Sequence, residues 1–217
     1  MLNFIKFLMN KTFGLIGIIF LMITCSCNNN QQSVQVKKQA LQSDSVVTSY
    51  SHSKSIIFFG NSLTAGYGLD PAEAFPSLIQ NKIDSLKLNY KVINAGVSGE
   101  TSAGGLGRID WILRQPVDIF VLELGGNDGL RGIPLSETKK NLQAIIDKVR
   151  SKYPAPKIVL AGMQIPPNMG QQSSEQFRHI YPSLAVTNNP TLIPFLLQGV
   201  AGHPNLNQKD GIPQPDA

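Results

Sequence analysis

The sequence predicts an α/β fold, a three-layer α/β/α sandwich around a mainly parallel five-stranded sheet. Short apolar runs that end in glycine or polar turns alternate with segments of helical spacing, which is typical of a parallel sheet with helices on both faces. The run VDIFVLEL is apolar enough to be covered on both faces. Pro194 places the fifth strand at an edge, because proline cannot donate to a central ladder. The predicted strands are residues 55–59, 90–94, 117–124, 157–162 and 191–195.

The segments between the strands carry helix signals. Asp70-Pro71-Ala72-Glu73 predicts a helix start, because Asp is a good cap, Pro suits the first helical position and Glu follows three residues after the cap. Helical spacing then continues through Phe75, Leu78, Ile79, Lys82, Ile83 and Leu86. Two further apolar stripes are formed by Leu142, Ile145, Ile146 and Val149, and by Phe177, Ile180, Tyr181 and Leu184.

The composition limits the class of protein. A chain of 217 residues with 15% charged and 42% hydrophobic residues is typical of one globular domain. Its formal charge of +5 falls to +3 without Lys6 and Lys11, which lie in the leader. Since no cluster of Lys and Arg interleaved with aromatic residues is visible, we expect no binding to nucleic acid.

The first 27 residues have the layout of a secretory signal. Lys6 and Lys11 precede an apolar run at residues 13–23, which is followed by Thr24-Cys25-Ser26-Cys27. A run of eleven residues is too short to cross a bilayer, which takes about 20. The exit resembles the lipobox of bacterial lipoproteins and favours Cys27 over Cys25 as the acylated residue.

The alternative is an ordinary cleaved signal with incidental cysteines. Residues 28–54 are polar and predict a flexible tether. We therefore expect an exported chain that a lipid anchor holds in the cell envelope, facing the periplasm. A disulfide framework is excluded for the mature domain, because no cysteine follows Cys27.

Candidate site residues follow the first three strands. In parallel sheets the chemistry lies at the carboxyl ends of the strands, so the loops 60–66, 95–101 and 125–128 are expected to converge. Ser62 is a possible nucleophile, although a serine in a glycine-rich turn is more often a helix cap. The Gly99 N–H and the Asn127 amide could join it in holding an oxyanion, although each alone is an ordinary turn or loop residue.

The sequence lacks the motifs of nucleotide-binding loops and the residue spacing of metal sites. Neither a G-x-G-x-x-G nor a G-x-x-x-x-G-K-[ST] motif is present, so no dinucleotide or phosphate loop is predicted. The three histidines, His52, His179 and His203, show no metal-ligand spacing. We expect neither a metal nor an organic cofactor.

Four segments in order resemble the blocks of the SGNH (GDSL-type) hydrolase superfamily. They are FGNSLTAGYG at 59–68, NAGVSGET at 94–101, ELGGNDGLRG at 123–132 and DGI at 210–212. The chain resembles most the thioesterase I, lysophospholipase and arylesterase branch. This resemblance implies a flavodoxin-like sandwich over residues 55–217 and the hydrolysis of carboxylic esters or thioesters.

The resemblance also implies roles for individual residues. Ser62 would be the nucleophile, its own N–H with those of Gly99 and Asn127 would form the oxyanion hole, and Asp210 would orient the base. Asn61 stands where Asp is usual, which leaves the nucleophile in place.

The histidine base is missing from the fourth block. The family pattern is Asp-x-x-His followed by Pro, whereas Pro213 directly follows Asp210-Gly211-Ile212. One histidine inserted before Pro213 would restore the pattern. Loss of the base costs on the order of 10⁶ in kcat in a serine hydrolase. His203, seven residues before Asp210, is the only nearby substitute. Because the chain ends at Ala217, before the family's closing helix, a shortened domain is also expected.

The expected substrate is a small acyl ester such as a lysophospholipid or an aryl ester, and the expected state is a monomer. Two alternatives stay open. The first is a non-catalytic lipoprotein that binds acyl or carbohydrate ligands, which the missing base favours. The second is a sugar-ester deacetylase on the same fold. A damaged copy of an active esterase would also explain why the fourth block lacks its histidine.

Overall fold

The computed structural model describes residues 53–208, except for the side chain of Pro167. Five strands form one sheet in the order β2-β1-β3-β4-β5, and every neighbouring pair is parallel. The predicted α/β fold is confirmed, and β5 lies at an edge as expected. The strands are β1 (Lys54–Gly60), β2 (Tyr90–Asn94), β3 (Ile119–Glu123), β4 (Lys157–Ala161) and β5 (Thr191–Ile193).

Helices connect successive strands and cover both faces of the sheet. The ring of Phe58 meets Phe75 on one face at 5.4 Å, whereas Phe59 meets the Arg108 guanidinium on the other at 4.1 Å, as the alternation of strand side chains requires. No helix in this part of the chain is long and apolar enough to cross a membrane. The helices are α1 (Ser62–Ala65), α2 (Phe75–Ser85), α3 (Ser102–Ile112), α4 (Gly126–Leu130), α5 (Leu135–Lys152), α6 (Gln171–Arg178) and α7 (Ile180–Asn188), with short 3₁₀ turns at Pro167–Met169 and Pro204–Leu206.

The hydrophobic core lies between the sheet and one layer of helices. Helix α5 packs against α3 and α7, and its predicted apolar stripe is fully buried. The second predicted stripe is also buried but belongs to two helices, because the α-helix is interrupted at His179, between α6 and α7. Each stripe spans about a third of the helix circumference, which is enough to cover the sheet.

The prediction of a helix start at Asp70 is wrong. The expected hydrogen bonds do form, since Asp70 Oδ1 accepts from the Ala72 N–H at 2.9 Å and Glu73 Oε2 accepts from the Asp70 N–H at 3.2 Å. They close an isolated turn, and α2 starts only at Phe75. A helix running on from residue 71 would need a hydrogen bond from Pro76, which has no N–H, so Pro76 lies in a new first turn instead.

Other boundaries shift by a few residues. The strand β1 begins at Lys54, which the predicted tether had included, because its N–H donates to Asn89 O at 3.1 Å. The strand β5 ends before Pro194. The predicted signal sequence, the cysteines, His52 and Asp210 lie outside the described residues.

Two residues of α7 test the core assignment. Leu184 is 1% exposed and Val186 is 89% exposed. We expect Leu184→Ala to lower the free energy of unfolding by about 3 kcal/mol, because a buried cavity replaces the isobutyl group. The matched control Val186→Ala is expected to change it by less than about 0.5 kcal/mol. Urea unfolding measures both, and equal effects would contradict this core.

Candidate active site

Ser62 is the first residue of α1, two residues beyond the end of β1. The helix cap is its neighbour Asn61, whose Oδ1 accepts from the Leu63 N–H at 3.0 Å. The alternative in which Ser62 itself caps the helix is therefore wrong. Ser62 Oγ lies 3.4 Å from Asn61 Oδ1, a long contact that holds the hydroxyl only weakly. This leaves the hydroxyl available to a ligand.

Close packing around α1 explains two glycines. A Cβ on Gly96, in the loop after β2, would lie 2.2 Å from Ala65 N. A Cβ on Gly60 would lie 2.1 Å from Thr64 Oγ1 and 2.4 Å from Glu123 Oε2. The turn that carries Ser62 therefore fits tightly against both neighbouring strand ends.

The loops of Gly99 and Asn127 are joined by hydrogen bonds. Asn127, in α4, donates from Nδ2 to Glu100 O at 2.9 Å, and Arg131 Nη2 donates to Gly99 O at 2.8 Å. Gly99 has φ = +76°, a conformation that favours glycine. Ser62 and Asn127 line the same cleft. The structure thus brings together the three segments that sequence analysis proposed for an oxyanion site.

An ion pair braces the loop that carries Gly99. Arg108 of α3 contacts Glu100 at 2.5 Å and also donates to Ala95 O at 2.8 Å. Its guanidinium covers the ring of Phe59, so the pair is partly shielded from water. Both ends of the loop after β2 are therefore fixed to the sheet and to α3.

A buried carboxylate fixes the start of α4. Asp128 accepts from the Ser102 N–H at 2.8 Å, from the Ser102 hydroxyl, and from Thr138 Oγ1 at 3.3 Å. Nearby, the Tyr181 hydroxyl donates to Leu124 O at 2.9 Å. Because these polar groups are buried and satisfied, they stabilise one arrangement of the segment around Asn127.

Glu123, the last residue of β3, is 1% exposed and faces α1. Its carboxylate accepts from the Asn61 N–H at 3.0 Å, from Asn61 Nδ2 at 2.6 Å and from Thr64 Oγ1 at 2.8 Å. Burial raises the pKa of Glu123 from 4.5 to about 7, and the hydrogen bonds from Asn61 and Thr64 only partly oppose it. Sequence analysis missed these partners, which come from another strand end.

The cleft beside Ser62 and Asn127 has a volume of about 670 Å³ and a mainly apolar lining. The loop after β4 and the segment after β5 supply most of its apolar wall. The apolar and small lining residues are Leu63, Gly126, Leu130, Met163, Ile165, Pro166, Phe195, Leu197, Ala201 and Gly202. A cleft of this size and lining suits an acyl or aryl group.

Neither described histidine lines this cleft. His203 is exposed and its main chain forms a turn, donating to Val200 O and accepting from the Leu206 N–H. His179 is exposed at the junction of α6 and α7. Within residues 53–208 no group of three His, Cys, Asp or Glu side chains could hold a metal ion.

Substitution of Gly96 tests the packing around α1, and substitution of Gly107 is its control. We expect Gly96→Ala to lower the free energy of unfolding by about 1–3 kcal/mol, because its methyl group would collide with the backbone of α1. Gly107, inside α3, has nothing within 4 Å of an added Cβ. Gly107→Ala is therefore expected to raise stability by up to about 1 kcal/mol. Thermal unfolding of both variants checks the contrast, and a stabilising Gly96→Ala would refute it.

Glu123 should make stability depend on pH. Its pKa is raised in the folded state, so its contribution to stability is full below pH 4.5 and is lost as pH rises through about 7. Between pH 5 and 8 the free energy of unfolding of the native chain should fall by roughly 2–3 kcal/mol more than that of the Glu123→Gln variant. Urea unfolding at the two pH values measures the difference. Parallel losses in both proteins would contradict the raised pKa.

Comparison with known proteins identifies the family. Residues 58–216 match the GDSL-like lipase/acylhydrolase family. Esterase TesA of Pseudomonas aeruginosa is 36% identical over 168 residues, which cover 77% of this chain and 83% of that protein. Thioesterase 1/protease 1/lysophospholipase L1 of Escherichia coli K12 is 38% identical over 164 residues, covering 75% of this chain and 76% of that protein.

A solved structure agrees with these relatives. The crystal structure of AlinE4, an SGNH-hydrolase family esterase, is 42% identical and superposes with a TM-score of 0.69, covering 74% of this chain and 85% of that one. The matches span most of the chain and include the segments that carry Ser62, Gly99 and Asn127. The chain therefore belongs to the GDSL-like lipase/acylhydrolase family and is an ester hydrolase.

Proposed function

We propose that this protein cleaves small acyl esters, such as lysophospholipids or aryl esters, through an acyl-enzyme on Ser62. The observation that carries the proposal is the position of Ser62 beside Asn127 on the wall of an apolar cleft. Ser62 Oγ forms a bond to the acyl carbon while its proton passes to a base. The leaving alcohol then takes that proton, and water releases the acyl group.

The donors around Ser62 stabilise the charge that develops on the acyl oxygen. The Ser62 N–H belongs to the first turn of α1, where helical N–H groups have no partner within the helix. Asn127 Nδ2 and the Gly99 N–H complete the proposed oxyanion hole. Removing one such donor typically lowers kcat by about 10²–10³. Because Asn127 is already held by Glu100 O at 2.9 Å, it needs little reorganisation to serve.

The proposed mechanism needs a histidine base, which this chain lacks at the position of the family pattern. Asp210 would orient a histidine, yet Pro213 stands where the family pattern has that histidine. His203 is an exposed turn residue, which gives it little support as a substitute. We infer that the chain hydrolyses esters slowly, with the oxyanion donors supplying about 10³–10⁴ over the reaction in water.

The proposal includes export and anchoring. The names of the relatives describe esterases and a thioesterase, and the leader with Cys25 and Cys27 favours a lipoprotein of the cell envelope. Such an anchor would bring the cleft close to acyl lipids. Radiolabelled palmitate incorporation, compared between the native chain and its Cys27→Ala and Cys25→Ala variants, identifies the acylated residue or rejects acylation.

Hydrolysis of p-nitrophenyl esters from acetate to palmitate tests the catalytic proposal. We expect low activity in the native chain and a rise of several orders of magnitude when histidine is inserted between Ile212 and Pro213, and we expect Ser62→Ala to abolish that rise. If His203→Ala abolishes the activity of the uninserted protein, His203 is the substitute base. If the protein with the inserted histidine keeps its full activity in Ser62→Ala, Ser62 is not the nucleophile.

The same assay separates the alternatives. A binding lipoprotein would retain acyl ligands in Ser62→Ala and show no hydrolysis even with the inserted histidine. A sugar-ester deacetylase would prefer acetylated glycans to every member of the acyl series. Either result would replace the proposed substrate class.

A further inference from the structure

One buried acid in the site has no part in the chemistry described so far. Glu123 is 1% exposed, yet a carboxylate is costly to bury unless it is well hydrogen-bonded. The hydrogen bonds that its carboxylate accepts come from Asn61 and Thr64, on the segment around α1. A carboxylate only accepts hydrogen bonds, so its two oxygens match this set of donors.

These donors flank the nucleophile. Asn61 immediately precedes Ser62, and Thr64 follows it two residues later. Asn61 cannot turn away freely, because its Nδ2 donates to Glu123 while its Oδ1 accepts from the Leu63 N–H. The carboxylate thus fixes residues on both sides of Ser62. Gly60 leaves space for it, because a Cβ at that position would lie 2.4 Å from Glu123 Oε2.

We propose that Glu123 is a positioning residue for Ser62, acting through Asn61 and Thr64 to fix the turn from which Ser62 Oγ reaches the acyl carbon. This inference rests on the proposed function of Ser62. A glutamine at the same place would turn an amide N–H toward one of the donors, so the turn would have to shift. Displacements of about 1 Å at a reacting group can lower the rate about 10²-fold.

Protonation of Glu123 should loosen the same turn. Its pKa of about 7 means that near neutrality one oxygen gains a hydrogen and can no longer accept every donor. The other ionisable groups nearby are Tyr181 of α7, which interacts electrostatically with Glu123, and Asp128 of α4. Tyr181 stays neutral, because burial and the charges of Glu123 and Asp128 raise its pKa well above 10.

The test compares Glu123→Gln and Thr64→Val with the native chain, each with and without the inserted histidine. In the protein with the inserted histidine, we expect Glu123→Gln to lower kcat for p-nitrophenyl butyrate about 100-fold with KM changed less than threefold. Thr64→Val, which removes the hydroxyl donor and leaves the donors of Asn61, should lower kcat about 10-fold. Leu184→Ala controls for lost stability and should keep kcat within threefold. If Glu123→Gln also keeps kcat within threefold, the inference is overturned.

A second readout does not need catalysis. The ¹H–¹⁵N signals of Leu63 and Thr64 should titrate with a midpoint near 7 in the native chain, in step with the Glu123 carboxyl carbon. This titration should vanish in Glu123→Gln and persist in Ser62→Ala. If no version shows hydrolysis that depends on Ser62, the proposed function fails while these signals still decide whether Glu123 controls the turn. Amide signals that do not respond to Glu123 would overturn the inference.

Discussion

The pairing of β1 with β3 is the constraint on which the site depends. From β1 the chain continues to β2 on one side of the sheet, and from β3 it continues to β4 on the other. The two connections diverge, so a crevice opens above the point where the strand order reverses. Ser62 follows β1 and Asn127 follows β3, and both therefore border the crevice without any long-range adjustment of the backbone.

Buried polar contacts turn that crevice into a defined site. Glu123 joins the end of β3 to α1, Asp128 joins α4 to α3 and α5, and the Arg108–Glu100 pair fixes the loop after β2. The contacts of Glu123 with Asn61 and of Asp128 with Ser102 link segments that are 62 and 26 residues apart. Such groups are tolerated in a core only because their hydrogen bonds are made. The loops can therefore carry polar side chains and still be held in one position by the sheet.

Local patterns carried most of the fold prediction, and long-range contacts limited it. The strand at residues 90–94 and the buried stripe of α5 follow from apolar spacing alone. The convergence of the loops followed from the rule for parallel sheets. The partners of Glu123 could not be predicted, because Asn61 is 62 residues away and the contact exists only in the folded chain. The false helix start at Asp70 arose because a local capping pattern was read without the second proline, Pro76.

Asn61 gives the site a property that an acid at that position would lack. Aspartate is usual there in the block that this segment resembles, and its carboxylate would face that of Glu123. Two carboxylates in hydrogen-bond contact cannot both be ionised, so they would share one titratable proton. The amide of Asn61 provides a hydrogen at the same place, 2.6 Å from Glu123 Oε1 measured from its nitrogen. That hydrogen does not dissociate in alkaline solution, so the contact between β3 and the turn that carries Ser62 keeps its donor at high pH.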